Sequence, residues 1–157
     1  MNRTIQPAPV RKSVVVQAPP ARAFEVFTAR IGDWWPRSHH IGQSEPQTFI
    51  IEPRAGGRWF ERGVDGAECD IGHVLAWEPP HRLVLAWQLS ADFKFVPDLV
   101  TEVELRFTSE GERATRVDLE HRNLERYGAL ADQVREAVGS SGGWSAVLER
   151  YAGAAGQ

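Results

Sequence analysis

The sequence predicts an α+β domain: a curved antiparallel sheet of about seven strands wrapped on a long C-terminal helix, with two short helices after the first strand. Three observations carry this reading. Gly56 to Leu89 reads as three consecutive strands joined by two tight turns. Two later segments, Leu99–Thr108 and Thr115–Arg122, alternate apolar and polar residues with the period of a half-buried strand. Finally, Trp144, Val147, Leu148 and Tyr151 recur at i, i+3, i+4 and i+7, the spacing of a helix with a broad apolar face. One sheet face is apolar and must be covered, and that helix is the late element long enough to do so.

In chain order, residues 1 to 9 read as a disordered lead-in containing Pro7 and Pro9. Val10–Gln17 is a strand with Val10, Val14 and Val16 on one side. Ala18-Pro19-Pro20 ends it and starts a helix over Pro20–Ala29, since proline suits the first helical turn. Phe24, Phe27 and Ile31 form its apolar stripe, and a short helical turn carries Trp34 and Trp35. A loop over Arg37–Glu45 holds His39 and His40, and Gln47–Glu52 is a strand.

The central meander follows. Its first strand is Gly57–Arg62, Asp65-Gly66 makes a two-residue hairpin turn, and Cys69–Trp77 returns. Pro79-Pro80 stops that strand. Leu83, Leu85, Trp87 and Leu89 then alternate inward. The turn lengths set Glu61 opposite Asp70, Trp59 opposite Gly72 and Val74 opposite Leu85, so the buried face is expected to carry Trp59, Gly72, Val74, Ala76, Leu83, Leu85 and Trp87, with Glu61 and Asp70 at its rim. His73 falls on the outer face. Ser90–Pro97 is a loop with Phe93 and Phe95, placed to act as a lid. Thr101, Val103, Leu105 and Phe107 point inward from the next strand, and Thr115, Val117, Leu119 and His121 from the last. Leu130, Val134 and Val138 make a helical stripe, Gly139–Gly143 breaks it, and residues 154–157 are a frayed tail after a domain spanning 10–153.

The totals bound the function. A chain of 157 residues with ordinary composition makes one domain with a sizeable core, and six tryptophans are its unusual feature. Net charge is −3 with no basic cluster, which argues against a nucleic-acid partner. There is no signal-peptide core and no run of membrane-spanning length, and the single Cys69 permits no internal disulfide; a cytoplasmic protein without membrane insertion is expected.

Several motifs together resemble the START-like (SRPBCC) superfamily, and within it the branch named for homologues of the activator of the heat-shock-protein-90 ATPase. They are Ala18-Pro19-Pro20 with Phe24 and Phe27, Gly56-Gly57-Arg58-Trp59, Gly72-His73-Val74-Leu75, Pro79-Pro80-His81-Arg82-Leu83 with Trp87, and Gly143-Trp144 with Leu148. The resemblance spans residues 10 to 153. It implies a helix-grip fold with a deep hydrophobic cavity between sheet and terminal helix. The superfamily includes lipid and hormone binders, polyketide cyclases and antibiotic-sequestering proteins, and has no universal catalytic motif.

The candidate ligand-binding set is Trp34, Trp59, Glu61, Asp70, Trp87, Thr101, Phe107, His121 and Trp144. Large flat rings suit an apolar or aromatic guest, although aromatic stripes more often simply fill a core. Glu61 and Asp70 read either as an acid/base pair or as a solvated pair beside Arg58 and Arg62, and His121 either as a proton carrier or as a core histidine. His39-His40 lacks the further ligands a metal needs, so no metal and no cofactor is expected. Gly139-Ser140-Ser141-Gly142-Gly143 matches GxSxG, but a nucleophile elbow needs a strand before it and this segment follows a helix. Three functions stay open: binding of a small hydrophobic or aromatic molecule, a cyclase or dehydrase reaction, and a co-chaperone role. A chaperone partner is disfavoured because the second domain of a full-length activator is missing; a homodimer is left open.

Overall fold

The computed structural model describes residues 8–156, so most of the expected disordered lead-in lies outside the described residues. The elements are β1 (Val10–Val16), α1 (Pro20–Thr28), α2 (Ile31–Trp34), β2 (Pro46–Ile51), β3 (Arg58–Gly63), β4 (Glu68–Glu78), β5 (Arg82–Trp87), β6 (Thr101–Ser109), β7 (Thr115–Arg122), α3 (Ala131–Gly139) and α4 (Trp144–Ala155). The strands form one antiparallel sheet in the order β1-β7-β6-β5-β4-β3-β2. The helices cover one face. This is the α+β helix-grip architecture expected of the sequence.

The apolar periodicities act as anticipated. Trp144, Val147, Leu148 and Tyr151 of α4 are all buried, and the Tyr151 hydroxyl donates to Ala23 O at 2.7 Å, tying α4 to α1. Arg150 Nε donates to Trp34 O at 2.8 Å, which ties α4 to α2. Two expectations at the C-terminal end need correction. Leu130 is exposed, because it closes a 3-10 segment (Leu124–Leu130) kinked at Gly128; the buried stripe of α3 is Ala131, Val134 and Val138. The terminal helix also runs through residues 154 and 155, with Ala155 buried, where fraying was expected.

The meander register departs from expectation in an informative way. The hairpin closes through Gly63 N to Ala67 O, so its loop is three residues, Val64-Asp65-Gly66. Glu61 consequently pairs with Cys69, and Asp70 with Phe60. A bulge at Ile71 then restores the expected pairing of Trp59 with Gly72. Glu61 still faces inward. Asp70 is carried to the outer face, where Arg58 Nη2 donates to it at 2.8 Å. A second bulge between Val74 and Ala76 moves Ala76 opposite Val84 on the outer face and turns Trp77 inward, 5.1 Å from Phe24 between ring centroids. Inward Asp70 is thus corrected by the longer hairpin loop with its compensating bulge, and inward Ala76 by the second bulge.

Gly72 sits where the bulged strand approaches β5: a Cβ there would lie 1.7 Å from Ala86 O. Outside, Glu104 is flanked by Arg82, Arg106 and Arg122, and this lattice of long side chains shields Val84 and Ala86 from water. His73 stands on that outer face as expected, hydrogen-bonded through Nδ1 to Gln88 Oε1 at 2.7 Å.

Candidate functional site

Between the sheet and the two C-terminal helices lies a cavity of about 450 Å³. Its apolar wall is made by Trp35, Ile71, Trp87, Val138, Trp144 and Val147. Ser38, His39, His40, Ser140 and Gly142 also line it and carry its polar groups, and Phe93 adds a further ring. Three indoles define the wall: Trp144 stands 5.5 Å from Trp87 and 6.1 Å from Trp35 between ring centroids, both in edge-on geometry.

The nine residues proposed from sequence divide on this geometry. Trp87 and Trp144 line the cavity. Trp59 lies behind the wall, 1% exposed, and props Trp35 and Trp87 at 5.7 and 5.8 Å. Trp34 turns away into the α1–α4 contact, donating its indole N–H to Val26 O at 2.8 Å and packing on Tyr151. Its neighbour Trp35 takes the cavity position, because the chain leaves α2 extended at Trp35, with ψ 132°. Phe107 packs on Phe24 and Phe27, away from the cavity lining. Asp70 is outside the sheet.

Thr101, His121 and Trp144 form a closed chain of hydrogen bonds. The Trp144 indole N–H can only donate, so His121 Nδ1 accepts it, at 3.1 Å. The proton on the neutral ring therefore sits on Nε2, which meets Thr101 Oγ1 at 2.8 Å; that hydroxyl in turn donates to Trp87 O at 3.1 Å. Every polar atom is satisfied with His121 uncharged. Burial holds its pKa down at about 3, and a proton on Nδ1 would face the Trp144 N–H head-on. His121 is thus the histidine that orients two cavity tryptophans, and it does not itself line the cavity.

Glu61 is 1% exposed, and both its oxygens are engaged by the backbone of the cavity mouth. Oε1 accepts from Ile41 N at 2.5 Å and Oε2 from Gly42 N at 3.0 Å. Gly42 must approach closely: a Cβ there would lie 3.0 Å from Glu61 Oε2 and 3.2 Å from Cys69 Sγ. The loop so anchored presents His40, whose Nδ1 lies 2.9 Å from Gly42 O. His39 Nε2 reaches Gly142 O at 2.8 Å, bridging this loop to the break between α3 and α4.

Sequence reasoning missed Trp35, His39, His40, Ile71, Val138 and Val147 as lining residues. The two histidines were visible as a pair after Trp-Trp-Pro but were weighed only as metal ligands; among the described residues no three His, Cys, Asp or Glu side chains cluster as a metal site. No helix among the described residues is long and apolar enough to cross a membrane.

The family model described as "Activator of Hsp90 ATPase homolog 1-like protein" matches residues 17–155. Among solved structures, the chain is similar to the anthrahydroquino-gamma-pyrone synthase Txn09, solved as a complex with SUM. The two are 41% identical over 93% of this chain and 96% of that one, with a TM-score of 0.66. It is also similar to CalC, a self-sacrificing resistance protein from Micromonospora echinospora, at 29% identity over 94% of each chain and a TM-score of 0.71. The Hsp90 activator PFC0360w from Plasmodium falciparum shares the fold at 19% identity, with 74% of each chain covered and a TM-score of 0.51. No curated protein matches the chain. With a helix-grip sheet, a tryptophan-walled space beneath its terminal helix and a family match over nearly its whole length, the chain belongs to the activator of Hsp90 ATPase homolog 1-like family, in the START-like superfamily.

Proposed function

We propose that the protein binds a fused-ring aromatic small molecule in the cavity between sheet and α4. The observation that carries this is the wall of three tryptophans around an apolar space of about 450 Å³, with its hydrogen-bonding groups supplied by serines and histidines. That volume is in the range of small-molecule sites, and indole faces and edges suit flat rings. Burying about 250 Å² of apolar ligand surface yields roughly 6 kcal/mol before ordering costs, which corresponds to a dissociation constant of about 40 μM or weaker. The 41% identity to a synthase named for a fused anthrahydroquinone–pyrone product supports the same ligand class.

A second reading is a cyclase or dehydrase reaction on the bound molecule; that the same relative is named a synthase supports an enzymatic role. A co-chaperone role rests on the family name and on a likeness of fold alone. The test is quenching of intrinsic tryptophan fluorescence by anthraquinone. Wild type should titrate in the micromolar range. Ala137→Phe, at an exposed position on the cavity lining, should weaken binding about tenfold, about 1.4 kcal/mol, with an unchanged circular dichroism spectrum. Absence of quenching, or equal affinity in the variant, would refute the assignment of the ligand to this cavity.

A further inference from the structure

Two histidines, His39 and His40, line the cavity, and their hydrogen bonds distinguish them. His39 uses both ring nitrogens: Nε2 lies 2.8 Å from Gly142 O and Nδ1 lies 3.1 Å from Ser38 Oγ. His40 uses one. A carbonyl oxygen has no proton to give, so the 2.9 Å contact of His40 Nδ1 with Gly42 O places the ring proton on Nδ1. Nε2 of the neutral ring is then a bare lone pair, without a hydrogen-bond partner among the described residues.

The group that fixes this arrangement is buried. Glu61, from β3, holds Ile41 N at 2.5 Å and Gly42 N at 3.0 Å, and so anchors the residue whose carbonyl, in the next peptide along, orients His40. Base, backbone carbonyl and buried carboxylate form a relay in which the last member acts through the loop. The ionisable groups on and around that loop are Arg37, His39 and Glu45 in the loop itself, Glu61 from β3, Asp65 of the hairpin turn, which accepts from Ser44, and Cys69 from β4.

We propose that His40 is the proton acceptor of this cavity, taking the proton from an acidic hydroxyl on the aromatic guest, with Glu61 as its positioning residue. The inference rests on the aromatic-ligand reading above and narrows it to hydroxylated quinone-type rings. An isolated phenol, with a pKa near ~10, gives up its proton reluctantly at neutral pH. A phenol conjugated to quinone carbonyls is more acidic and gives it up to a neighbouring lone pair more readily. The step balances without a co-reactant. The ligand O–H bond breaks, its electron pair stays on oxygen, and a new N–H bond forms at Nε2. The imidazolium returns that proton to a ligand carbon if the oxyanion closes a ring onto a conjugated bond, or to water when the ligand leaves.

The probe is 2-hydroxyanthraquinone, whose visible absorption differs between phenol and phenolate; anthraquinone reports binding alone. Bound to wild type, the hydroxylated probe should show the phenolate spectrum at least one pH unit below the free probe. His40→Ala and His40→Gln should abolish that displacement while both probes still quench tryptophan fluorescence. Added imidazole should restore the displacement in His40→Ala. Glu61→Gln should reduce it with little change in anthraquinone affinity. Quenching with a spectrum that does not depend on His40 would overturn the proton-transfer proposal and leave the binding reading standing. Failure of both probes to quench would overturn the two together.

Discussion

Replacing His121 tests whether the core histidine is held neutral by its surroundings. Its pKa falls from 6.5 to about 3 on burial. Below pH 6.5 the unfolded chain therefore takes up a proton that the folded chain refuses, and stability is lost as pH falls from the unfolded value toward the folded one. Each pH unit is worth about 1.4 kcal/mol, so roughly 2 kcal/mol is gone by pH 5 and between 4 and 5 kcal/mol across the window, to order of magnitude. Carboxylates contribute in a separate range: Glu104 and Glu120 are held below the ordinary value by their arginine partners despite burial, so their stabilisation is lost only below about pH 4.5. His121→Leu removes the titrating ring but strands the Trp144 N–H, at a cost of about 2 kcal/mol. Urea unfolding at pH 8 should find the variant less stable by about that amount. Between pH 6.5 and 5 the wild-type curve should fall about 1.4 kcal/mol per pH unit while the variant stays flat, and the two should meet near pH 5. An NMR titration of the His121 ring near pH 6.5, or parallel slopes in the two proteins, would refute the reasoning.

Two further predictions come from the sheet. Gly72→Ala places a methyl 1.7 Å from Ala86 O, backbone against side chain, so it should destabilise by about 3 kcal/mol or more, read as a fall in the urea midpoint. Glu104→Gln removes the shared partner of Arg82, Arg106 and Arg122 from a site 7% exposed; it should cost about 2 kcal/mol, between the surface and fully buried cases, and the cost should shrink in high salt.

Most of the fold was legible because it rests on local periodicity. The alternation in β6 and β7 put Val103, Leu105, Phe107, Val117, Leu119 and His121 on the inward face, where they lie buried. The spacing from Trp144 to Tyr151 likewise marked the face that α4 buries. The family resemblance pointed to a cavity between sheet and helix, and the chain has one there.

The site was less legible, since it depends on single-residue offsets. One extra loop residue at Val64 and one bulge at Ile71 put Asp70 outside while leaving Trp59 and Glu61 inside. A second bulge exchanged Ala76 for Trp77. Trp34 and Trp35 are chemically the same, and only the extended turn after α2 decides which meets the cavity.

The residues by themselves determined which segments are strands and helices, and which side of each is apolar, because both properties are set by neighbours within a few positions. Tertiary packing alone decided which polar groups are spent and which are left free. It closed His121 between Thr101 and Trp144, turned Glu61 onto the backbone of the mouth, and left one His40 nitrogen without a partner among the described residues. A hydrogen bond between residues about 20 positions apart depends on the register and loop path of the whole sheet, and no local pattern encodes those.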